Sequence, residues 1–419
     1  MTPKGFWSSS LVMFIAMRSA DAVNAFAGIW LVPKYISPDE LGAVLPLSSF
    51  AGMLALPFGI FATVVMKQLA SLARTGSYGE IKSLLRGTFA AAGCVFVLAI
   101  ASTKLLFPAF LERLRIEAGS LSFLIVVAAF SSALAPVFSN SLLGLKRFGA
   151  LAFYSFISAP ARVIAMLLLM PLRAISGYFA GQAVPGAIMA AGAIFALRRE
   201  MRTPPKPFWT RTRLCAIAPF AAAAAVFLSL QSFQSLLETT AVRQCMLPAD
   251  SAAYYMVTRF SEIASYAGLT LSTVIFPFAA SAPGAETLRT VRRAMMLSLA
   301  IGCALAAFFA LAGKPILAIL PGGELYQSYT PSLVALTIVA TLSVTSLCGA
   351  NALVAMDSFL FLFPWAALHT IYFACVWSIS RWGSWTMPRF IAATAIFAAV
   401  KLLAISPFLR TLSRSRSGE

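Results

Sequence analysis

The chain has 419 residues, of which 60% are hydrophobic and only 11% charged, with a mean hydropathy of +0.86. An ordinary soluble chain is about a quarter charged, so this composition excludes a water-soluble globule of any fold and requires surface that meets lipid. The net charge of +18, from 32 Lys and Arg against 14 Asp and Glu, would in a soluble chain raise the question of nucleic acid; here the placement of the charges answers it.

Continuous apolar runs last roughly twenty residues, which suits spanning helices and not the alternating ten-residue strands of a membrane barrel. The first run follows Lys4 and imitates a secretory signal with Leu11 to Met17 and Ala25-Phe26-Ala27, but Arg18, Asp21 and Asn24 would interrupt a signal core and the apolar character continues to Val32. In chain order the spans are predicted at 8–32, 42–66, 87–107, 119–144, 151–172, 174–197, 213–234, 250–279, 293–312, 331–356, 358–380 and 389–409. The expected class is therefore an all-α integral membrane protein with twelve transmembrane helices.

Assigning Lys and Arg to alternating sides puts 19 of them on one face of the membrane and 9 on the other, with Arg18, Arg162, Arg259 and Lys401 left inside spans. The basic side is expected to be cytoplasmic, with both termini inside and the protein in the cell inner membrane. This topology accounts for the positive charge, and no nucleic-acid partner is needed. The cysteines Cys94, Cys215, Cys245, Cys303, Cys348 and Cys375 fall almost all in apolar runs without CxxC or metal spacing, and read as small core hydrophobes.

The basic, proline-rich stretch Arg198-Arg199-Glu200-Met201-Arg202-Thr203-Pro204-Pro205-Lys206-Pro207 separates six spans from six. The domains are accordingly expected at 1–198 (an N-terminal six-helix bundle), 199–212 (a basic cytoplasmic linker), 213–410 (a C-terminal six-helix bundle) and 411–419 (a cytoplasmic tail). A shift of 210 residues places Pro38-Asp39-Glu40-Leu41-Gly42-Ala43 on Pro248-Ala249-Asp250-Ser251-Ala252-Ala253, and Phe50 on Phe260, at the same ordinal position in each half. An even number of spans per half gives the two copies the same orientation, an arrangement used by transporters.

Enzyme signatures are mostly absent. The aspartates Asp21, Asp39, Asp250 and Asp357 form no DxD pair, and GxSxG, HExxH, GxGxxG and P-loop patterns are missing. His369, the single histidine, has no carboxylates beside it in sequence to build a metal site. No metal and no cofactor are expected.

Ionisable residues inside spans are costly, about 2.5–3.5 kcal/mol each on the insertion scale, and mark function by default. Arg18, Asp21 and Asn24 lie three apart and share one stripe of the first span, and Arg259 and Glu262 repeat the Arg-x-x-acid spacing in the eighth. Each acid either neutralises its neighbouring arginine in a packed interface or serves substrate or ion binding. Arg162 follows Pro160 with no acid within four residues, which leaves an anionic ligand or an acid from another span to compensate it. Lys401 has a stem long enough to snorkel to the interface, His369 reads as a hydrogen-bonded core residue, and Asp357 falls in a solvated join. Pro57, Pro136, Pro160, Pro185, Pro219, Pro277 and Pro364 permit kinks in or near spans. The spacing Gly177-x-x-x-Gly181 favours close helix packing.

Three stretches carry a family resemblance. Ile36-Ser37-Pro38-Asp39-Glu40-Leu41-Gly42 after the first span, Leu143-Gly144-Leu145-Lys146-Arg147-Phe148 before the fifth, and Gly322-Gly323-Glu324-Leu325-Tyr326 before the tenth resemble turns of the polysaccharide transport branch of the multidrug/oligosaccharidyl-lipid/polysaccharide (MOP) exporter superfamily. The resemblance implies a MATE-like MOP flippase fold and a translocase that moves polyprenyl-pyrophosphate-linked oligosaccharide repeats for O-antigen, exopolysaccharide or capsule by alternating access. A diphosphate headgroup needs cationic partners, for which the intramembrane Arg18, Arg162 and Arg259, with Asn24, are the candidate substrate-binding residues, and Asp21 and Glu262 are the candidates for ion coupling. The implied partners are the lipid-linked oligosaccharide, membrane lipid and a glycan polymerase. A multidrug or cation antiporter of the same superfamily, or a membrane enzyme of glycan assembly, are the alternatives.

Overall fold

A computed structural model describes residues 3–113, 121–281, 285–382 and 385–415; Arg115 and Arg416, which enter the charge balance, lie outside them. The described residues form no strand. The helices are α1 Pro3–Phe26, a π-helix Ala27–Leu31, α2 Val32–Tyr35, α3 Pro38–Leu54, α4 Leu56–Thr75, α5 Tyr78–Arg113, α6 Leu121–Gly144, α7 Phe148–Gln182 and α8 Val184–Ala196. After a 3-10 turn Glu200–Arg202 come α9 Arg211–Cys245, α10 Pro248–Ser281, α11 Ala285–Ala318, α12 Gly323–Tyr326, a second 3-10 turn Gln327–Tyr329, α13 Thr330–Ala355, α14 Leu362–Trp382 and α15 Met387–Ser415. Read through their kinks, these helices form twelve runs on which the twelve expected spans fall. Among the described residues, 8 helical stretches are long and apolar enough to cross a membrane by length and composition alone. The chain is a multi-pass membrane protein.

Local chemistry sets the breaks. α7 turns back on itself where Arg173 (φ −150°, ψ 40°) and Ala174 (φ 29°, ψ −111°) leave helical geometry. The Gly177 and Gly181 spacing then does its work within this hairpin: a Cβ on Gly177 would collide with the Leu169 carbonyl, and one on Gly181 with Met166. Pro57 and Pro185 lie in the first turns of α4 and α8, just after the one-residue breaks at Ala55 and Ala183 that kink these spans, where a missing N–H costs nothing. Pro136, Pro160 and Pro219 lie inside helices. α6 and α13 end on Lys146 (φ 55°) and Asp357 (φ 58°) in the left-handed region. There the following amides reach back, Arg147 to the Leu142 carbonyl at 2.8 Å and Ser358 to that of Leu353 at 2.9 Å, closing the helix ends.

The chain divides into two compact units, residues 1–24 with 47–232, and residues 25–46 with 233–419. In the first, α4, α6, α7 and α8 pack on one another around Phe58, Ala62, Ala133 and Val137, with the Phe58 and Phe130 rings edge to face at 6.3 Å. The basic stretch before α9 is an ordered strap of this unit. Lys82 Nζ donates to the Thr203 carbonyl at 2.9 Å, the Lys206 amide to Gly79 at 3.0 Å and Trp209 Nε1 to Ser83 at 3.2 Å. Arg213 pairs with Glu80 at 2.6 Å, and Arg147 with the buried Glu200.

In the second unit α13 is the axis, packed against α10, α11 and α15. It carries no charged side chain, as a helix surrounded by other helices requires. Two of its hydroxyls are satisfied within the helix, Thr337 by the Leu333 carbonyl and Thr341 by the Thr337 carbonyl, both at 2.7 Å, while Thr345 donates to Ser298 of α11 at 3.4 Å. The duplicated register is visible in the helix starts, since Pro38 opens α3 and Pro248, 210 positions on, opens α10. Both turns belong to this unit. Gly42, beside the first, accepts a hydrogen bond from Ser251 of the second at 3.3 Å.

Candidate functional site

The polar stripe of α1 is built by helical periodicity. Arg18 and Asp21 pair at 2.6 Å one turn apart, with side chains 21% and 29% exposed. One turn further, Asn24 Oδ1 accepts from Arg162 Nη1 at 3.0 Å. Arg162 lies on α7 two residues after Pro160, so the partner supplied from another span is a neutral amide as well as whatever else surrounds the guanidinium. In the first unit the structure thus brings together Arg18, Asp21, Asn24 and Arg162.

Immediately after Asn24 the helix widens into the π-turn Ala27–Leu31, a feature that often accompanies functional positions because it displaces side chains from the regular stripe. From here the chain belongs to the second unit. The Gly28 carbonyl accepts from the Tyr255 hydroxyl at 3.0 Å. A Cβ at Gly28 would stand 3.5 Å from Arg259 Cδ, so glycine lets the π-turn lie against that arginine. Arg259 pairs with Glu262 at 2.8 Å, their side chains 20% and 33% exposed, and its guanidinium carbon is 5.1 Å from the Tyr255 ring centroid. Arg259 and Glu262 therefore form the second set, each ion pair made with its neighbour one turn away.

A third polar group was not visible as a site in the sequence. Lys401 is only 2% exposed. It does not snorkel: its Nζ donates to Gln234 Oε1 at 3.2 Å and lies 4.8 and 4.9 Å from the Trp365 and Phe397 ring centroids. Gln234 Nε2 donates to Glu238 Oε1 at 2.8 Å, and the Tyr372 hydroxyl donates to the same oxygen at 2.7 Å. His369 is fully buried, with Nδ1 2.7 Å from the Trp365 carbonyl. The apolar run of α9 ends near Gln234, so the span was drawn to stop there; the helix continues to Cys245 and carries Glu238 with it. The signal that would have found the group is the i, i+4 pair Gln234 and Glu238 at the end of a span whose partners include a lysine far inside another.

No protein-family model matches the chain, and a search of curated proteins returns no match. Solved structures do match. The outward-facing conformation of a multidrug resistance MATE family transporter of the MOP superfamily aligns over 98% of this chain and 95% of its own, with a TM-score of 0.72 at 13% identity. The inward-facing conformation of such a transporter aligns over 97% and 99%, with a TM-score of 0.65 at 14% identity. The Vibrio cholerae MATE transporter VcmN in the bent form aligns over 99% and 97%, with a TM-score of 0.68 at 13% identity. Over nearly its whole length the chain has a MATE-like fold.

Proposed function

We propose that the protein is a flippase of polyprenyl-pyrophosphate-linked oligosaccharide repeats, working by alternating access in the cell inner membrane with both termini cytoplasmic. The observation that carries this reading is the set of three arginines inside spans. Of these, Arg162 donates to the Asn24 amide oxygen at 3.0 Å, a contact that orients the guanidinium. A planar guanidinium presents a rigid fork to phosphate oxygens, and a diphosphate would complete the charge of Arg18 and Arg162 in the first unit; in the second unit Arg259 offers the same fork. Asn24 then acts as a positioning group. Asp21 and Glu262, each paired to an arginine, couple ion binding to release in this reading, because protonating either carboxylate frees its arginine for an anion. The partners under this reading are the lipid-linked oligosaccharide, surrounding lipid and a glycan polymerase.

A second reading, a drug or cation antiporter, is favoured by the structural neighbours, which include multidrug resistance transporters. Transport is the common ground of both readings. Deleting the gene while following labelled polyprenyl-linked sugars and surface glycan tests them together. Loss of surface glycan with intermediates trapped in the cytoplasmic leaflet, reproduced by Arg162→Ala, is expected. Unchanged glycan with heightened sensitivity to cationic dyes would overturn the flippase reading in favour of the antiporter.

A further inference from the structure

We propose that Glu238, Gln234, Tyr372, Lys401 and His369 form a proton-binding site inside the second unit, with His369 Nε2 as the atom that takes up the proton. This holds whichever cargo the protein carries. It rests first on a set of contacts that suits a charged pair. Gln234 bridges Lys401 and Glu238, accepting from the ammonium with its carbonyl oxygen and donating to the carboxylate with its nitrogen, and Tyr372 donates to the same carboxylate oxygen. The amide orientation follows from these partners, since an ammonium only donates and an ionised carboxylate only accepts. Burying both charges in a membrane span at the cost of desolvating them is a poor way to stabilise a bundle, and two aromatic rings flank the lysine in place of water.

The second observation is independent of the pair. The Trp365 carbonyl can only accept, so His369 Nδ1 carries a hydrogen and donates it. In the neutral ring Nε2 is then a bare lone pair, and among the described residues it has no hydrogen-bond partner although the side chain is fully buried. Its ring stands 5.4 Å from the Trp365 ring and 5.0 Å from that of Phe397, the same two rings that flank Lys401. A basic nitrogen left empty beside a buried ammonium costs free energy in a static structure, and it has a use where protons come and go.

The step balances simply. The Nε2 lone pair forms an N–H bond with a proton delivered by hydronium, water is released, no other covalent bond changes, and the charge of the cluster rises from zero to plus one. Glu238 and Gln234 are half-buried on α9. The other groups facing the cluster are Tyr254 on α10, which feels both Glu238 and Glu262 electrostatically, and Tyr372 on α14. α13, which packs along α15, contributes no charge. Loading sets a second cation next to Lys401, and the repulsion acts between α14 and α15, so proton uptake biases how these helices pack.

Because His369 is the single histidine, 15N-histidine labelling of the full protein in lipid nanodiscs yields signals from this residue alone. We expect them to titrate between pH 4 and 9 as one site. The midpoint should rise by about one pH unit, a tenfold change in proton affinity, in Lys401→Met, and fall by a similar amount in Glu238→Gln. A signal that does not move over that range, or midpoints unchanged in the variants, would overturn the assignment. Should Lys401→Met fail to fold, Glu238→Gln, which keeps the shape and the acceptor oxygen, decides by itself. Transport is not needed for this readout, so its failure and the failure of the flippase reading are separate events.

Discussion

Arg162→Ala is the most informative substitution, because it tests whether the guanidinium is there for the fold or for the cargo. In the resting structure Arg162 donates to Asn24 at 3.0 Å. A hydrogen bond involving a charged group contributes about 1.5–3 kcal/mol, and the Asn24 oxygen left behind is partly solvated, so the loss of folding stability lies toward the lower end. If the same fork holds a phosphate oxygen pair, the cargo loses a comparable amount, which at 1.4 kcal/mol per tenfold is roughly a 10- to 150-fold loss of affinity. Arg162→Lys keeps the charge but not the bidentate geometry and should fall between wild type and Ala. The assay is flipping of a fluorescent polyprenyl-pyrophosphate oligosaccharide in proteoliposomes, scored by access of a membrane-impermeant quencher at cargo concentrations below saturation. Thermal unfolding of the same preparations corrects for fold. Asn24→Ala, which leaves the charge and removes only its positioning, should slow flipping less than Arg162→Ala does. An Arg162→Ala protein that unfolds at the wild-type temperature and flips within about twofold of the wild-type rate would refute the reasoning.

Three other outcomes follow from packing. Gly42→Val would place a Cβ 2.8 Å from that of Ser251, so it should destabilise the second unit by about 1–3 kcal/mol through overpacking; Ser251→Ala, which loses only a hydrogen bond, should cost about 0.5–1.5 kcal/mol, and thermal unfolding ranks the two. Ala174→Gly relieves a residue held at φ 29° and should be neutral to stabilising by up to about 1 kcal/mol, whereas Ala174→Val should be destabilising, both read as shifts in unfolding temperature. Removing the two acids that clamp the strap, Glu80→Gln with Glu200→Gln, should speed tryptic cleavage within residues 198–213 several-fold over wild type without altering cleavage elsewhere, as followed by mass spectrometry of the fragments.

The parts of this fold that were legible are those where one physical rule acts alone. Lipid demands long apolar helices, and the twelve apolar runs all fall on helical stretches, down to the reversal at Arg173 and Ala174 that separates two spans joined by almost no loop. The repeat was legible at Pro38 and Pro248 because proline at a first helical turn is a local signal that survives when the surrounding sequence has drifted. The stripe of Arg18, Asp21 and Asn24 was legible because helical periodicity alone sets it. What Arg162 reaches was not, since its contact with Asn24 joins positions 138 apart, and no spacing rule spans that distance.

The strap and the buried pair were hidden for opposite reasons. Residues 198–213 have the proline and charge content of a linker, and the Gly79 and Ser83 carbonyls, Lys82 and Glu80 at the start of α5, with Arg147 on Glu200, turn that content into a docked segment. Glu238 and Lys401 were hidden by the very criterion that found the spans. Apolarity ends a predicted helix at its first polar cluster, so a carboxylate near the end of a span is taken for loop, and a lysine inside one is taken to reach for water. Both inferences assume that a charge in a membrane must find solvent. Here Lys401 finds Gln234, Trp365 and Phe397, and Glu238 finds Gln234 and Tyr372. A membrane protein that meets the desolvation of two charges with its own amide, phenol and rings has spent side chains that a purely structural bundle would have made leucine, and that expense is the argument for looking at this cluster first when the coupling of transport is sought.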